Sequence, residues 1–97
     1  SSFKIVMEGA KYFEEGTGCY AEGKFMEALE LYNRAIECDS SSYMALNAAG
    51  TLHLNLLKDY ERAKQLFRKA LEISDLPVIR MNLNLAENKI RENGGEL

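Results

Sequence analysis

Few side chains in this sequence are of the types that carry out acid–base, nucleophilic or metal chemistry. The chain has one histidine, His53, and two cysteines, Cys19 and Cys38. A histidine acts as a general base only beside a nucleophile or a metal ion, and the sequence offers His53 no such partner. We therefore interpret His53 as a structural histidine with satisfied hydrogen bonds, at a helix position facing the interior or a groove.

The remaining candidates for chemistry also favour structural roles. The cysteines are too far apart in the sequence for a zinc site, and the chain has too few histidines to complete one. We expect both to be reduced packing residues, in different layers of one hairpin and near its opposite ends. Glu14 and Glu15 fit a solvated helix face, and no glycine-rich phosphate loop follows a strand. We predict a protein that is not an enzyme and needs no cofactor or metal ion.

Composition and charge exclude further classes. The 97 residues are 46% hydrophobic and 28% charged, which is typical of one small folded domain. The formal net charge is −3, and basic residues alternate with glutamates, which argues against nucleic-acid binding. No apolar run reaches the roughly 18 residues of a membrane span, and the apolar stretch at the start is too short for a secretory signal.

The chain ends and the cysteine usage bear on the compartment. Residues 94–97 end like an endoplasmic-reticulum retention signal but lack its Lys-Asp pair, so we assign them no such role. Reduced cysteines suit a cytoplasmic or nuclear protein. The chain begins without methionine, which indicates a segment of something longer.

The strongest pattern is an internal repeat. Residues 25–38 align without gaps to residues 60–73, at an offset of 35 residues. The aligned apolar pairs recur at three- and four-residue steps, so each set lies on one helix face, opposite a charged face. Alanines on the packing face let helices approach closely, and the ring fills the space beside them. These pairs are Ala28/Ala63, Leu31/Leu66, Tyr32/Phe67, Ala35/Ala70 and Ile36/Leu71.

Three further helices are predicted around the two copies. Two of them precede the copies, at about 3–21 and about 42–56, the second with serine N-caps. The short turns at 22–24 and 57–59 force neighbouring helices to run antiparallel.

The fifth helix is predicted at about 77–93, capped by Ser74 or Asp75, with Pro77 in its first turn and a stop at 93–95. It packs on the previous hairpin through Ile79, Leu83, Ala86 and Ile90. The predicted fold class is all-α, with antiparallel helical hairpins stacked as a short right-handed α-solenoid of about five helices.

Together these features resemble the tetratricopeptide repeat family, whose helix A carries a small residue and whose helix B carries an alanine–aromatic–alanine set. The resemblance implies one domain over 1–97, with repeats at about 9–42 and 43–76 and a capping helix at about 77–93. The matching repeat-packing residues are Gly16, Ala28, Tyr32 and Ala35 in the first repeat and Gly50, Ala63, Phe67 and Ala70 in the second.

The sequence also departs from the family pattern. Cys19 and His53 replace the usual helix A tyrosine, and Ser40 and Asp75 replace the proline that ends each repeat. The 35-residue offset implies one extra residue, which we expect in the turn at 57–59. Two repeats are fewer than the roughly three that a solenoid needs, so we expect additional packing through self-association or flanking helices.

The resemblance implies a protein-interaction function on the concave surface lined by helix A side chains, with another protein or a peptide segment as partner. Asn47 and Asn82 are the first candidates there, because an amide pairs both ways with the backbone of an extended peptide. Carried onto this sequence, the groove lining is Phe13, Thr17, Tyr20, Met44, Asn47, Thr51, Leu54, Asn55, Val78, Met81, Asn82 and Leu85.

Alternatives stay open. Val78, Met81 and Leu85 form a second apolar face on the fifth helix, which suits a homodimer and a self-associating scaffold, or a face that completes the core. The resemblance also includes chaperone-binding members that clamp a terminal carboxylate with lysine, asparagine and arginine. Here Phe13 and Thr17 occupy first-repeat clamp positions, and only Asn47 and Arg80 are of suitable type, so we favour the clamp least.

Overall fold

The structure is a computed structural model that describes residues 2–94. Between those residues the chain is all-α and contains no strand. Its helices are α1 (Phe3–Ala21), α2 (Phe25–Cys38), α3 (Tyr43–Leu52), α4 (Tyr60–Ile73) and α5 (Pro77–Glu92), and a π-helical turn over His53–Leu57 continues α3. Ser1 and residues 95–97, with most of the retention-like ending and part of the predicted helix stop, lie outside the described residues.

The helices form two antiparallel hairpins, α1–α2 and α3–α4, and a closing helix. α2 packs against α3, and α4 packs against α5, so the elements stack in chain order. The stack measures 44 × 28 × 19 Å. The predicted all-α hairpin stack is therefore confirmed, and its packing is compatible with a helical repeat.

Side-chain caps begin three of the helices. Ser2, Ser42 and Asp59 accept hydrogen bonds from backbone N–H groups in the first turns of α1, α3 and α4. The prediction that Ser74 or Asp75 caps α5 is wrong, because Leu76 is the N-cap residue and its side chain makes no capping bond. Asp75 instead accepts a hydrogen bond from Arg80 at 2.7 Å, and Pro77 holds the first helical position.

The predicted packing residues form the core of both hairpins. A Cβ atom built on Gly16 would lie 2.8 Å from Cε1 of Tyr32, and one on Gly50 would lie 2.6 Å from Cε1 of Phe67. Each ring therefore occupies the space that a side chain at Gly16 of α1 or at Gly50 of α3 would need. The alanines on α2 and α4 are almost completely buried: Ala28, Ala35, Ala63 and Ala70.

The extra residue of the second repeat lies in the π-helical turn rather than in the loop at 57–59. Gly23 (φ 79°) and Lys58 (φ 55°) have the same left-handed backbone, and each lies two residues before the next helix begins, so the two hairpins are in register from these residues onward. Gly16 and Gly50, which contact equivalent rings, are only 34 residues apart. The insertion therefore falls between Gly50 and Lys58, where the wider turn accommodates it.

Candidate functional site

Helices α1, α3 and α5 present equivalent residues at a constant spacing of 34 residues. The spacing is confirmed in the core, where Ala45 and Ile79 are both buried, as are Leu52 and Ala86. None of the residues on the shared outer face is fully buried. We name this surface the groove face, and it consists of Ala10, Phe13 and Thr17 on α1, Met44, Asn47 and Thr51 on α3, and Val78, Met81 and Leu85 on α5.

Two neighbouring hollows lie on the groove face and share lining residues, and we name them together the trough. They have volumes of about 340 and 360 Å³, and both are lined by Phe13 and Met44. From there the trough extends to Val6 and Ala10 on α1 and to Val78 on α5. Its remaining lining residues are Gly9, Glu14, Asp39, Ser42, Tyr43, Asn47, Ala48, Leu76 and Ile79.

The core fixes the aromatic part of the trough. The Phe13 ring packs on the Tyr32 ring with 5.5 Å between the centroids. The hydroxyl groups of Tyr32 and Thr17 are 3.2 Å apart and share a hydrogen bond. Phe13 is consequently half-buried, with one side packed on the core and the other facing the trough.

The two asparagines favoured from sequence meet in the structure. Nδ2 of Asn82 donates to Oδ1 of Asn47 at 3.0 Å, which ties α5 to α3 across the groove face. This leaves the Asn47 amide nitrogen to donate and the Asn82 oxygen to accept. One donor and one acceptor are what a peptide group of a bound chain would require.

A smaller hollow of about 130 Å³ lies further along α1 and α3. Tyr20, Thr51 and Asn55 line it, together with Phe25 from the start of α2. The rings of Tyr20 and Phe25 meet edge to face, with 5.2 Å between centroids. The Thr51 hydroxyl donates to the Asn47 carbonyl oxygen at 2.9 Å, so it is already engaged within α3.

The predicted lining is only partly assembled. Four of its residues line the trough and three line the small hollow, and Asn82 joins them through Asn47. Thr17, Met81 and Leu85 are exposed but line neither hollow. Leu54 is a wrong prediction, since it is 7% exposed and packs with Ala63, Phe67 and Ala86. The inserted residue brings Asn55, rather than Leu54, to the side of Tyr20.

His53 opens the π-helical turn and lines none of these hollows. The expectation that its hydrogen bonds are satisfied is wrong for Nδ1, which is buried without a partner among residues 2–94. Burial lowers the pKa of His53 below its ordinary value, an effect that Asp59 opposes and Arg62 reinforces. Burial therefore favours the neutral form of the ring.

Sequence reasoning missed several trough residues. Ala10 is the residue 34 positions before Met44, and this spacing would have found it. Val6 lies one helical turn earlier on the same stripe of α1. Arg80, the arginine considered for a carboxylate clamp, pairs with Asp75 and does not line the trough.

No protein-family model matches the chain, and no curated protein matches it at a significant level. None of the helices between residues 2 and 94 has the length and apolar character needed to cross a membrane.

Proposed function

We propose that this protein is a protein-interaction adaptor that binds a segment of its partner across the trough. The observation that carries the proposal is that the two hollows of the trough share Phe13 and Met44 in their lining. Grooves lined by apolar side chains with a few converging polar groups are the usual form of binding sites. The Asn47–Asn82 pair supplies those polar groups.

The exposure of the apolar lining favours an occupant. Met44 and Val78 are each 49% exposed, and burying such side chains stabilises a complex by about 25 cal/mol per Å² of apolar area. Methionine is unbranched and polarisable, so Met44 adapts to differently shaped side chains. A partner segment that covers the trough therefore gains affinity from surface that the free protein leaves in water.

We further propose that the two hairpins are tetratricopeptide-type repeats and that α5 closes them. The glycine-to-ring contact recurs in both hairpins, and the buried Ile79 and Ala86 of α5 correspond to the buried Ala45 and Leu52 of α3. A reducing compartment, the cytoplasm or nucleus, suits both free cysteines. Cys38 lies beside Gly9 near the start of α1, whereas Cys19 is near its end, so the two cannot pair.

A peptide-binding experiment tests the adaptor proposal. Peptides are selected from a random display library on the immobilised protein, and their affinity is then measured by fluorescence polarisation. We expect Met44→Glu to weaken binding by about tenfold or more, because it puts a charge on the apolar floor. Met26→Glu is the matched control, since Met26 is 57% exposed on α2 and lies outside the trough. Equal loss in both variants, or in neither, contradicts the proposal.

A second candidate function is self-association as a scaffold. Val78, Met81 and Leu85 are 49%, 56% and 47% exposed and form an apolar stripe on α5. A stable dimer buries about 800 Å² on each partner, so the stripe would need neighbouring surface as well. Light scattering over a range of concentrations tests this function: a dimer that Met81→Glu dissociates supports it, and a monomer throughout rejects it. Met81 lies outside the trough, so peptide binding should survive this variant.

A further inference from the structure

The residues that line the trough and the small hollow carry charge of one sign only. Among residues 2–94, the lining contains the carboxylates Glu14 and Asp39 and no lysine, arginine or histidine. Both carboxylates lie at the α1 end of the trough. The α5 end, around Leu76 and Val78, has no charged lining residue. The trough is therefore apolar in its middle and acidic at one end.

Of the two carboxylates that line the trough, Glu14 is the one whose charge no neighbouring group among the described residues engages. Asp39 accepts from the backbone N–H and the hydroxyl of Ser41, at 3.1 and 2.7 Å. Glu14 is exposed and makes no ion pair within the described part of the chain.

We infer that the occupant of the trough is an apolar peptide segment flanked by lysine or arginine, with the basic flank at Glu14. The inference rests on the proposed adaptor function and names the chemistry of its partner. The apolar middle of the segment covers Phe13, Met44 and Val78, and one of its peptide groups pairs with the free donor and acceptor of Asn47 and Asn82. A segment ending in carboxylates meets like charge at Glu14 and binds less well.

The test measures the binding of three types of fluorescein-labelled peptide to the full chain. All have a length of about ten residues and share an apolar core of leucine and valine, and the types carry two lysines, two serines or two glutamates at one end. Each type is made in two versions, with the pair at the N-terminus or at the C-terminus, since a peptide can lie in the groove in either direction. The proteins are the wild type, Glu14→Lys and the matched control Glu15→Lys. Glu15 is the next residue on α1 and lies outside the trough.

We expect the wild type to bind the lysine peptide about threefold more tightly than the serine peptide, and the glutamate peptide least. Glu14→Lys reverses this order, and Glu15→Lys keeps it. The preference fades at about 0.5 M salt, because exposed charges are then screened. Circular dichroism verifies that each variant remains helical.

The possible failures are distinguishable. Equal binding of the three peptides, together with loss of binding in Met44→Glu, overturns the charge inference and leaves the adaptor proposal standing. A reversal that is as strong in Glu15→Lys as in Glu14→Lys assigns the effect to net charge and also overturns the inference. Failure of every peptide to bind overturns both.

Discussion

The α1–α2 and α3–α4 hairpins share the glycine-to-ring contact but differ in how much of their first helix is covered. In α1 only Gly9 and Gly16 are buried, and both face α2. In α3 a second set, Ala45, Ala49 and Leu52, is buried as well, because α3 packs on both α2 and α4. The residues 34 positions before that set are Lys11, Glu15 and Gly18, and all three are exposed.

The same contrast holds at the other end of the stack. α3 presents Leu46 and Gly50 to α4, whereas the residues 34 positions later on α5 are Arg80 and Asn84, both exposed. The repeat pattern thus determines how a hairpin closes, and the polarity of the second face distinguishes α1 and α5 from α3.

The largest expected effect tests this difference between α1 and α3. Ala49→Glu places an unpaired charge in a site that is 0% exposed and should cost about 4 kcal/mol or more. Glu15→Ala, the equivalent position on α1, should change stability by no more than about 0.5 kcal/mol. Urea denaturation followed by circular dichroism measures both. A stable Ala49→Glu variant would contradict the assignment of this face to the core.

The next effect compares the two glycine-to-ring contacts. Gly50→Ala should cost about 2 kcal/mol, since its Cβ would lie 2.6 Å from the ring of Phe67, which is fully buried. Gly16→Ala should cost about half as much, because its Cβ would lie 2.8 Å from the ring of Tyr32, which is 4% exposed and has more room to shift. The gain of about 1 kcal/mol in helix propensity applies at both positions. Gly18→Ala is the control: its Cβ meets nothing within 4 Å, so it should stabilise. Urea denaturation measures the free energy of unfolding of the three variants, and equal losses for Gly16→Ala and Gly50→Ala would contradict the ranking.

The two hairpin loops give a smaller contrast. Lys58→Gly should stabilise the protein by about 1 kcal/mol, because lysine pays a steric penalty at φ 55° that glycine does not. Gly23→Lys, the reciprocal change at φ 79°, should destabilise by about the same amount. Thermal unfolding of the two variants measures the shifts. Two shifts of the same sign would show that the loops are not equivalent.

The smallest effect is a pH dependence specific to the second hairpin. His53 has a lowered pKa in the folded protein, so the unfolded chain binds its proton more readily. Its contribution to stability is complete above the unfolded pKa of about 6.5 and is lost as pH falls below that value. The equivalent residue 34 positions earlier is Cys19, so the first hairpin has no histidine at this position. Unfolding midpoints between about pH 7 and 5 should therefore fall less in His53→Gln than in the wild type.

Helix periodicity and turn residues were enough to predict most of the fold. The bounds of α1 and α2 agree with prediction because Gly23 and the serines interrupt clear apolar periodicity. The cap of α5 could not be predicted from sequence, since the Asp75 carboxylate could accept either from a backbone N–H of α5 or from the Arg80 side chain. In the structure it accepts from Arg80. The burial of Lys64 was missed as well, although its equivalent 35 residues earlier is the buried Leu29.

The candidate site was predicted less completely than the fold. Phe13, Met44, Asn47 and Val78 were found because helix A positions recur regularly up to the π-helical turn. Beyond that point the register changes by one residue, so Leu54 was assigned to the groove instead of the core. Propensities do not distinguish a π turn from an α turn, and the shift shows only when both ends of the repeat are compared.

The π-helical turn has a further consequence for how the stack tolerates changes in length. The turn lies between positions that repeat every 34 residues on the groove face and positions that repeat every 35 residues at the rings of α2 and α4. The inserted residue is accommodated within this single helical turn, so both spacings stay constant on either side of it. Residues 53–57 are thus the segment of the second hairpin where chain length can vary while the groove face keeps its spacing.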